Sequence, residues 1–375
     1  MIIAVNTRFL LKENLEGIGY FTREVFRLLT NQYKEHQFYF LFDRPYDETY
    51  IFSSNVTPVV VGPPARHPLL WKFWYDVKIP SVLKKIKADV FISPDGFCSL
   101  TSKIPQCLVV HDLGFLHYPE TYRKSHELFY KRYTPLYLKK AKMIATVSHF
   151  SKKDIITQYK TADEKINIVY SAVKKIFHPL NIQQKEIIKE KYTEGKEFFI
   201  YTGALQPRKN LVNLLKAFSL FKKRQHSNWK LVLAGRLAWK NDDFLHLLKT
   251  YKYRNDIITP GYISESVLAQ LTASAYAMIY PSLFEGFGVP VLEAMKSEIP
   301  VLTSANSSMQ EIGEEAALYF DPLSVNDMAE KLMLIYKDED LRNSLIQKGK
   351  QKAGEFSWQR TAGLMWQCIE KTVQY

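Results

Sequence analysis

Tyr280-Pro281-Ser282-Leu283-Phe284-Glu285-Gly286-Phe287-Gly288-Val289-Pro290-Val291-Leu292-Glu293-Ala294-Met295 reads as the end of a strand, a glycine loop and the start of a helix. Gly286 and Gly288 permit a sharp turn and a close approach of ligand to backbone, and Pro290 suits a first helical turn, where its missing N–H is not needed. The unpartnered amides of such a helix start, together with the helix dipole, favour an anion. Glu285 and Glu293 flank the glycines, so both are expected to face one ligand lying across the helix start and to accept from its hydroxyls. The alternative is an ordinary turn followed by a solvated Glu293.

A second loop of the same kind lies upstream, Tyr201-Thr202-Gly203-Ala204-Leu205-Gln206-Pro207-Arg208-Lys209-Asn210. Leu211, Leu214, Leu215, Phe218 and Phe221 then recur at helical spacing and give the following helix one apolar face. Open α/β sheets bind ligands at the carboxyl ends of their strands, so Arg208 and Lys209 are expected near the Glu285 loop, where they would neutralise a leaving diphosphate. One well-placed group of this kind is worth roughly 3 to 4 kcal/mol of barrier.

Strands and amphipathic stretches alternate along the rest of the chain, which is the pattern of parallel sheets with crossover helices. The first half predicts strands at Ile2 to Val5, Gln37 to Phe42, Val59 to Val61, Asp89 to Ser93, Cys107 to Val110, Met143 to Val147 and Ile166 to Tyr170. The second half predicts Phe198 to Thr202, Lys230 to Ala234, Ile257 to Thr259, Ala277 to Tyr280, Val301 to Thr303 and Ala317 to Phe320. The fold class is therefore α/β with two Rossmann-like domains, residues 1–176 and 177–357. Apolar residues at helical spacing over 358–375 predict a last helix returning to the first domain.

In that first domain His111-Asp112 follows a strand and is expected at its carboxyl edge, with a structural turn as the alternative. Gly17-Ile18-Gly19 is too far from the first strand, and lacks the third glycine, to be a dinucleotide fingerprint. A helix is expected to start just after it, leaving its amides free to meet a diphosphate. Asp338-Glu339-Asp340 is read as a charge cluster at a helix N-terminus, and no metal site is assigned.

The chain has 375 residues, 46% hydrophobic and 24% charged, which excludes a largely disordered protein. Neither a signal peptide nor a membrane span is expected. Three scattered cysteines, Cys98, Cys107 and Cys368, suggest reduced thiols and a cytoplasmic location. The formal net charge of +13 favours anionic partners. Its cations are scattered and belong to no nucleic-acid module, so no nucleic acid is expected as a partner.

Taken in order, the Gly17-Ile18-Gly19 loop, His111-Asp112-Leu113, Thr146-Val147-Ser148-His149-Phe150-Ser151, Pro207-Arg208-Lys209-Asn210, Glu285 and Glu293 with seven residues between them, and Asp321-Pro322 resemble the retaining glycosyltransferases of family 4. The resemblance covers nearly the whole chain. It implies the GT-B architecture, two Rossmann-like domains facing each other across a cleft, with the acceptor bound by the first and a nucleotide sugar by the second. By similarity Glu285 contacts donor sugar hydroxyls, Glu293 the ribose, and Arg208 and Lys209 the diphosphate. Gly286, Phe287, Gly288 and Val289 would serve the sugar and phosphate through their amides, with Gly17, Gly19 and Gly203 also lining the donor site. His111 would lie near the transferred sugar, and Tyr262 and Ile263 would border the base.

Retention in this family is described as attack on the face the nucleotide leaves, the departing phosphate helping to accept the acceptor's proton. Neither glutamate is therefore assigned as a covalent nucleophile, unlike the paired carboxylates of glycoside hydrolases. The resemblance implies no cofactor and no bound metal, the donor being a GDP- or UDP-linked sugar. One departure is Ala204, where many relatives carry arginine, and Arg208 is expected to share that work. The Pro-Arg-Lys-Asn form is similar to mannosyltransferase sequences and favours mannose.

The expected function is transfer of a hexose to a saccharide or lipid-linked saccharide in surface polysaccharide or glycoconjugate biosynthesis. Arg66 to Lys85 mixes aromatic, aliphatic and lysine residues and suggests peripheral contact with an anionic membrane, with core packing as the alternative. The rival functions are a nucleotide-sugar-binding scaffold or sensor without catalysis, a GT-B epimerase, and a glycogen-type phosphorylase.

Overall fold

The short apolar runs form two wholly parallel sheets. The computed structural model describes residues 1–12, 15–236 and 242–374. Residue 375, the expected end of the last helix, lies outside them. The chain divides into two units, Met1–Ser171 with Ser357–Tyr375, and Ala172–Phe356. The first therefore stops at Ser171, a few residues short of the expected 176.

Among the described residues the first unit has seven strands: β1 (Ile2–Asn6), β2 (Gln37–Phe42), β3 (Val56–Val60), β4 (Val90–Ser93), β5 (Gln106–Val110), β6 (Met143–Thr146) and β7 (Ile166–Ile168). Their order is β3-β2-β1-β4-β5-β6-β7. β4, β5 and β6 are buried at every residue, which is why they read as continuous apolar runs rather than alternating ones. β3 begins at Val56, ahead of the expected Val59, and includes Pro58. An edge strand tolerates a proline, because its N–H on the open side is not needed.

The helix Trp358–Gln374 belongs to this unit. It buries Met365, Cys368 and Ile369, and Thr361 Oγ1 donates to the Tyr170 carbonyl at 2.8 Å. Cys368 Sγ lies 3.4 Å from Cys107 Sγ on β5, and both thiols are free. In the Arg66 to Lys85 stretch Trp71, Trp74 and Tyr75 are core residues, while Leu69, Phe73 and Val77 are exposed. Core packing thus accounts for most of its aromatic content. No helix among the described residues is long and apolar enough to cross a membrane.

The second unit has, among the described residues, six strands: β8 (Phe198–Thr202), β9 (Lys230–Ala234), β10 (Ile257–Gly261), β11 (Ala277–Tyr280), β12 (Val301–Ser304) and β13 (Ala317–Phe320). Their order is β10-β9-β8-β11-β12-β13. The helix Leu211–Gln225 buries Leu211, Leu214, Leu215, Phe218 and Phe221, the face predicted by their spacing. Asp338 caps the helix Glu339–Gly354 by accepting from the Leu341 amide at 2.8 Å, so Asp338-Glu339-Asp340 is a helix-start cluster.

Candidate functional site

β8 and β11 are neighbours, so the loops leaving their carboxyl ends meet. After β8, Gly203 takes a φ of 133°, and the loop closes with a 3₁₀ turn at Pro207–Lys209 and Asn210 in the left-handed region. Asn210 Nδ2 donates to the Pro322 carbonyl at 2.6 Å, which pins the turn. After β11, Gly288 at a φ of 92° precedes the helix Val289–Lys296, and a side chain there would run into Met309. Backbone joins the two loops: the Leu283 amide donates to the Arg208 carbonyl at 2.9 Å.

Glu285 is the centre of this junction. It is ion-paired with Lys209, accepts from Tyr280 Oη at 3.1 Å and from Ser282 Oγ at 2.5 Å, and lies 3.8 Å from the Arg208 guanidinium. Lys209 Nζ also donates to Tyr280 Oη at 2.9 Å, and Arg208 donates to the Phe284 carbonyl. Burial alone would push the Glu285 carboxyl up, but Lys209 and Arg208 outweigh it and bring it to about 2. It is a permanent carboxylate within a net cationic cluster.

Ser307 and Ser308 support the same loop. The Glu285 amide donates to Ser307 Oγ at 3.2 Å, and Ser308 Oγ donates to the Glu285 carbonyl at 2.9 Å. Neither serine was singled out in the sequence, although both follow β12 and the carboxyl-edge rule pointed to that position. Tyr280 and Ser282 stood in the quoted stretch without a role.

Glu293 differs from Glu285. It is buried on the helix Val289–Lys296 and makes no ion pair or side-chain hydrogen bond among the described residues. Burial pushes it up to about 7, helped by Glu265 and opposed by Lys174. The two carboxylates therefore occupy different surroundings and share no hydrogen-bond or ion-pair partner among the described residues. An acid raised by folding costs stability once the unfolded chain ionises, so Glu293 is expected to subtract of the order of 3 kcal/mol as pH rises from about 4.5 through about 7, partly offset in the wild type by the lowered His111. Thermal melts at pH 5 and pH 8 without nucleotide check this. Glu293→Gln should remove most of the fall, and an unchanged slope would refute the assignment.

Tyr262, exposed, and Ile263, half-buried, directly follow β10 and its left-handed Gly261. Phe287 is buried against Phe356 with ring centroids 5.7 Å apart.

In the first unit Gly17 and Gly19 lie within the first turn of the helix Gly17–Gln32, not in a loop before it. A side chain at Gly19 would strike the Phe9 carbonyl, so this glycine has a packing reason. His111, just past β5, turns Nε2 to the Pro94 carbonyl at 3.0 Å. A carbonyl can only accept, so Nε2 carries the proton. Burial pushes the imidazole down, against the carbonyl and the carboxylates of Asp112 and Asp95, and keeps it neutral near pH 7. Beneath it Asp95 pairs with Arg8 at 2.6 Å and accepts from Asn6 Nδ2 at 2.9 Å and Tyr75 Oη at 2.7 Å. Among the described residues no group of three or more His, Cys, Asp and Glu is placed to hold a metal ion.

Comparison with known proteins gives the same picture. The family model described as Glycosyltransferase Family 4 matches residues 16–175, and that described as Glycosyl transferases group 1 matches residues 183–352. O-antigen chain mannosyltransferase B of Escherichia coli is 29% identical over 250 residues, 66% of each chain. O-antigen chain mannosyltransferase RfbU of Salmonella typhimurium is 30% identical over 263 residues, 68% of this chain and 67% of the relative. The chain thus spans about two thirds of the length of these relatives. Among solved structures, sucrose-phosphate synthase from Thermosynechococcus elongatus aligns with a TM-score of 0.78 at 17% identity over 98% of both chains. Anabaena HepE in complex with UDP and glucose aligns at 0.77 and 14% identity over 99% of both. With parallel sheets in both units, the loop junction at Glu285 and the two family models running in sequence along the chain, this protein belongs to family 4 of the glycosyltransferases and has the GT-B fold.

Proposed function

We propose that the protein is a retaining hexosyltransferase. It moves mannose from a nucleotide diphosphate donor to a saccharide or lipid-linked saccharide in surface polysaccharide biosynthesis, without a resident metal. The observation that carries this reading is the union of Arg208 and Lys209 with Glu285 across two adjacent strand ends. The cations supply charge for a departing diphosphate, and the carboxylate supplies an acceptor for sugar hydroxyls. Amides at the start of the helix Val289–Lys296 add to the anion site, Glu293 takes the ribose, and Tyr262 and Ile263 border the base. His111, neutral and fixed through Nε2, positions the transferred sugar. The names of the relatives support mannose and polysaccharide assembly.

Incubation with GDP- and UDP-hexoses and saccharide acceptors, the product read by NMR, tests this. Transfer with the donor's anomeric configuration, undiminished by EDTA, is expected. An inverted product, or loss with EDTA restored by Mn²⁺, would refute it, and epimerised donor without acceptor would favour the epimerase. Peripheral membrane contact rests on exposed Leu69, Phe73 and Val77 beside Lys72 and Lys78. Flotation with anionic but not neutral vesicles is its check.

A further inference from the structure

Inside the first unit lies a pocket of about 270 Å³ whose lining includes Asp95, His111, Asp112, Phe115, Tyr122 and Tyr130. That is somewhat below the ~300 to 1,000 Å³ usual for drug-sized ligands, a size suited to a single sugar ring. In a chain of formal net charge +13, no lysine or arginine among the described residues lines it. Asp95 is neutralised from behind by Arg8, whose side chain is itself buried. Asp112 is half-buried and makes no ion pair among the described residues. The Gly114 amide, 2.8 Å from Oδ1, uses only one of its several acceptor positions. Phe115 and Tyr122 pack around Tyr130, with centroids at 5.2 Å and 6.1 Å, and give the pocket an apolar wall.

An aromatic wall and a carboxylate with acceptor positions to spare together suit a ring with an apolar C–H face and an edge of hydroxyls. A phosphate or carboxylate on that ring would meet Asp112 with no lysine or arginine among the described lining residues to offset the repulsion. We propose that the pocket receives one uncharged sugar ring of the acceptor, with Asp112 holding its hydroxyls and rejecting phosphorylated or acidic sugars. His111 lines the same space, which sets this ring beside the residue assigned to the transferred sugar. The proposal rests on the glycosyltransferase reading and adds the charge class of the acceptor.

Saturation-transfer NMR on the full chain, with methyl hexopyranosides and their 6-phosphates as probes, tests it without donor or turnover. Neutral glycosides are expected to bind and the 6-phosphates at least tenfold more weakly. Asp112→Asn should weaken the neutral glycosides several-fold while preserving an acceptor for Gly114, and Asp112→Lys should reverse the preference. Phosphates binding wild type as well as neutral glycosides, no neutral glycoside binding, or a preference unmoved in folded Asp112→Lys would each overturn the proposal. Selective binding of neutral glycosides by a protein that transfers from no donor would support the pocket and count against the catalytic reading.

Discussion

Glu285→Ala is expected to slow sugar transfer about 100- to 1,000-fold, the usual effect of removing one preorganised polar group from a reacting centre. The carboxylate holds Lys209 directly, sits 3.8 Å from Arg208 and receives Tyr280 and Ser282, so its loss removes the order of the cations together with the contact proposed above for the donor sugar. The same change frees the positive charge of Lys209 and Arg208. A nucleoside diphosphate lacking the sugar should therefore bind the variant as tightly as wild type, or more tightly. Opposite signs for transfer and nucleotide affinity separate this role from general damage. Removing one partner of a buried pair also costs about 3 to 5 kcal/mol of stability, so both assays belong well below the variant's melting temperature. Glu285→Gln keeps the shape and an acceptor for Ser282 and should be the better folded of the two. Wild-type transfer rates in either variant would remove Glu285 from the site.

Asp95→Ala is expected to be the most damaging single change in the first unit. Arg8 is buried there, and the Asp95 carboxylate holds its charge up against the burial that would lower it. Besides that ion pair, Asp95 accepts from Asn6, Tyr75, Ser93 and the Phe97 amide. Truncation leaves an unpaired guanidinium and several unanswered donors, for which about 3 to 5 kcal/mol is the usual cost. That is a large share of the ~5 to 15 kcal/mol by which domains are stable. Urea titration of the full chain measures it, and Asp95→Asn, which keeps acceptor oxygen but loses the charge, should fall between. A midpoint equal to wild type would mean that Arg8 finds another counter-charge.

The fold was largely legible because parallel strands buried on both faces betray themselves as short apolar runs, and because helices such as Leu211–Gln225 carry a clear stripe. Errors fell where local signals compete. Pro58 hides the start of β3, since nothing local tells an edge strand from a central one. Gly17 and Gly19 read as loop, yet helical backbone accommodates them and Phe9 requires the second. At the site, residues adjacent in sequence to glycines were visible, whereas Ser307, Ser308 and Asp95 act through partners far along the chain. The differing states of Glu285 and Glu293 were also hidden, because they depend on which cations the fold brings to each and not on the spacing between them.

The helix Trp358–Gln374, seated against β5 through Cys368, makes the first unit discontinuous in the chain. On the ribosome, residues 1–171 emerge long before the piece that covers their sheet, and residues 172–356 intervene for roughly 10 to 40 s at ~5 to 20 residues per second. The second unit, continuous in sequence, can finish folding during that interval. The first must keep an apolar seam open until Trp358–Gln374 has emerged, and that nascent stage is where a chaperone would have most to cover.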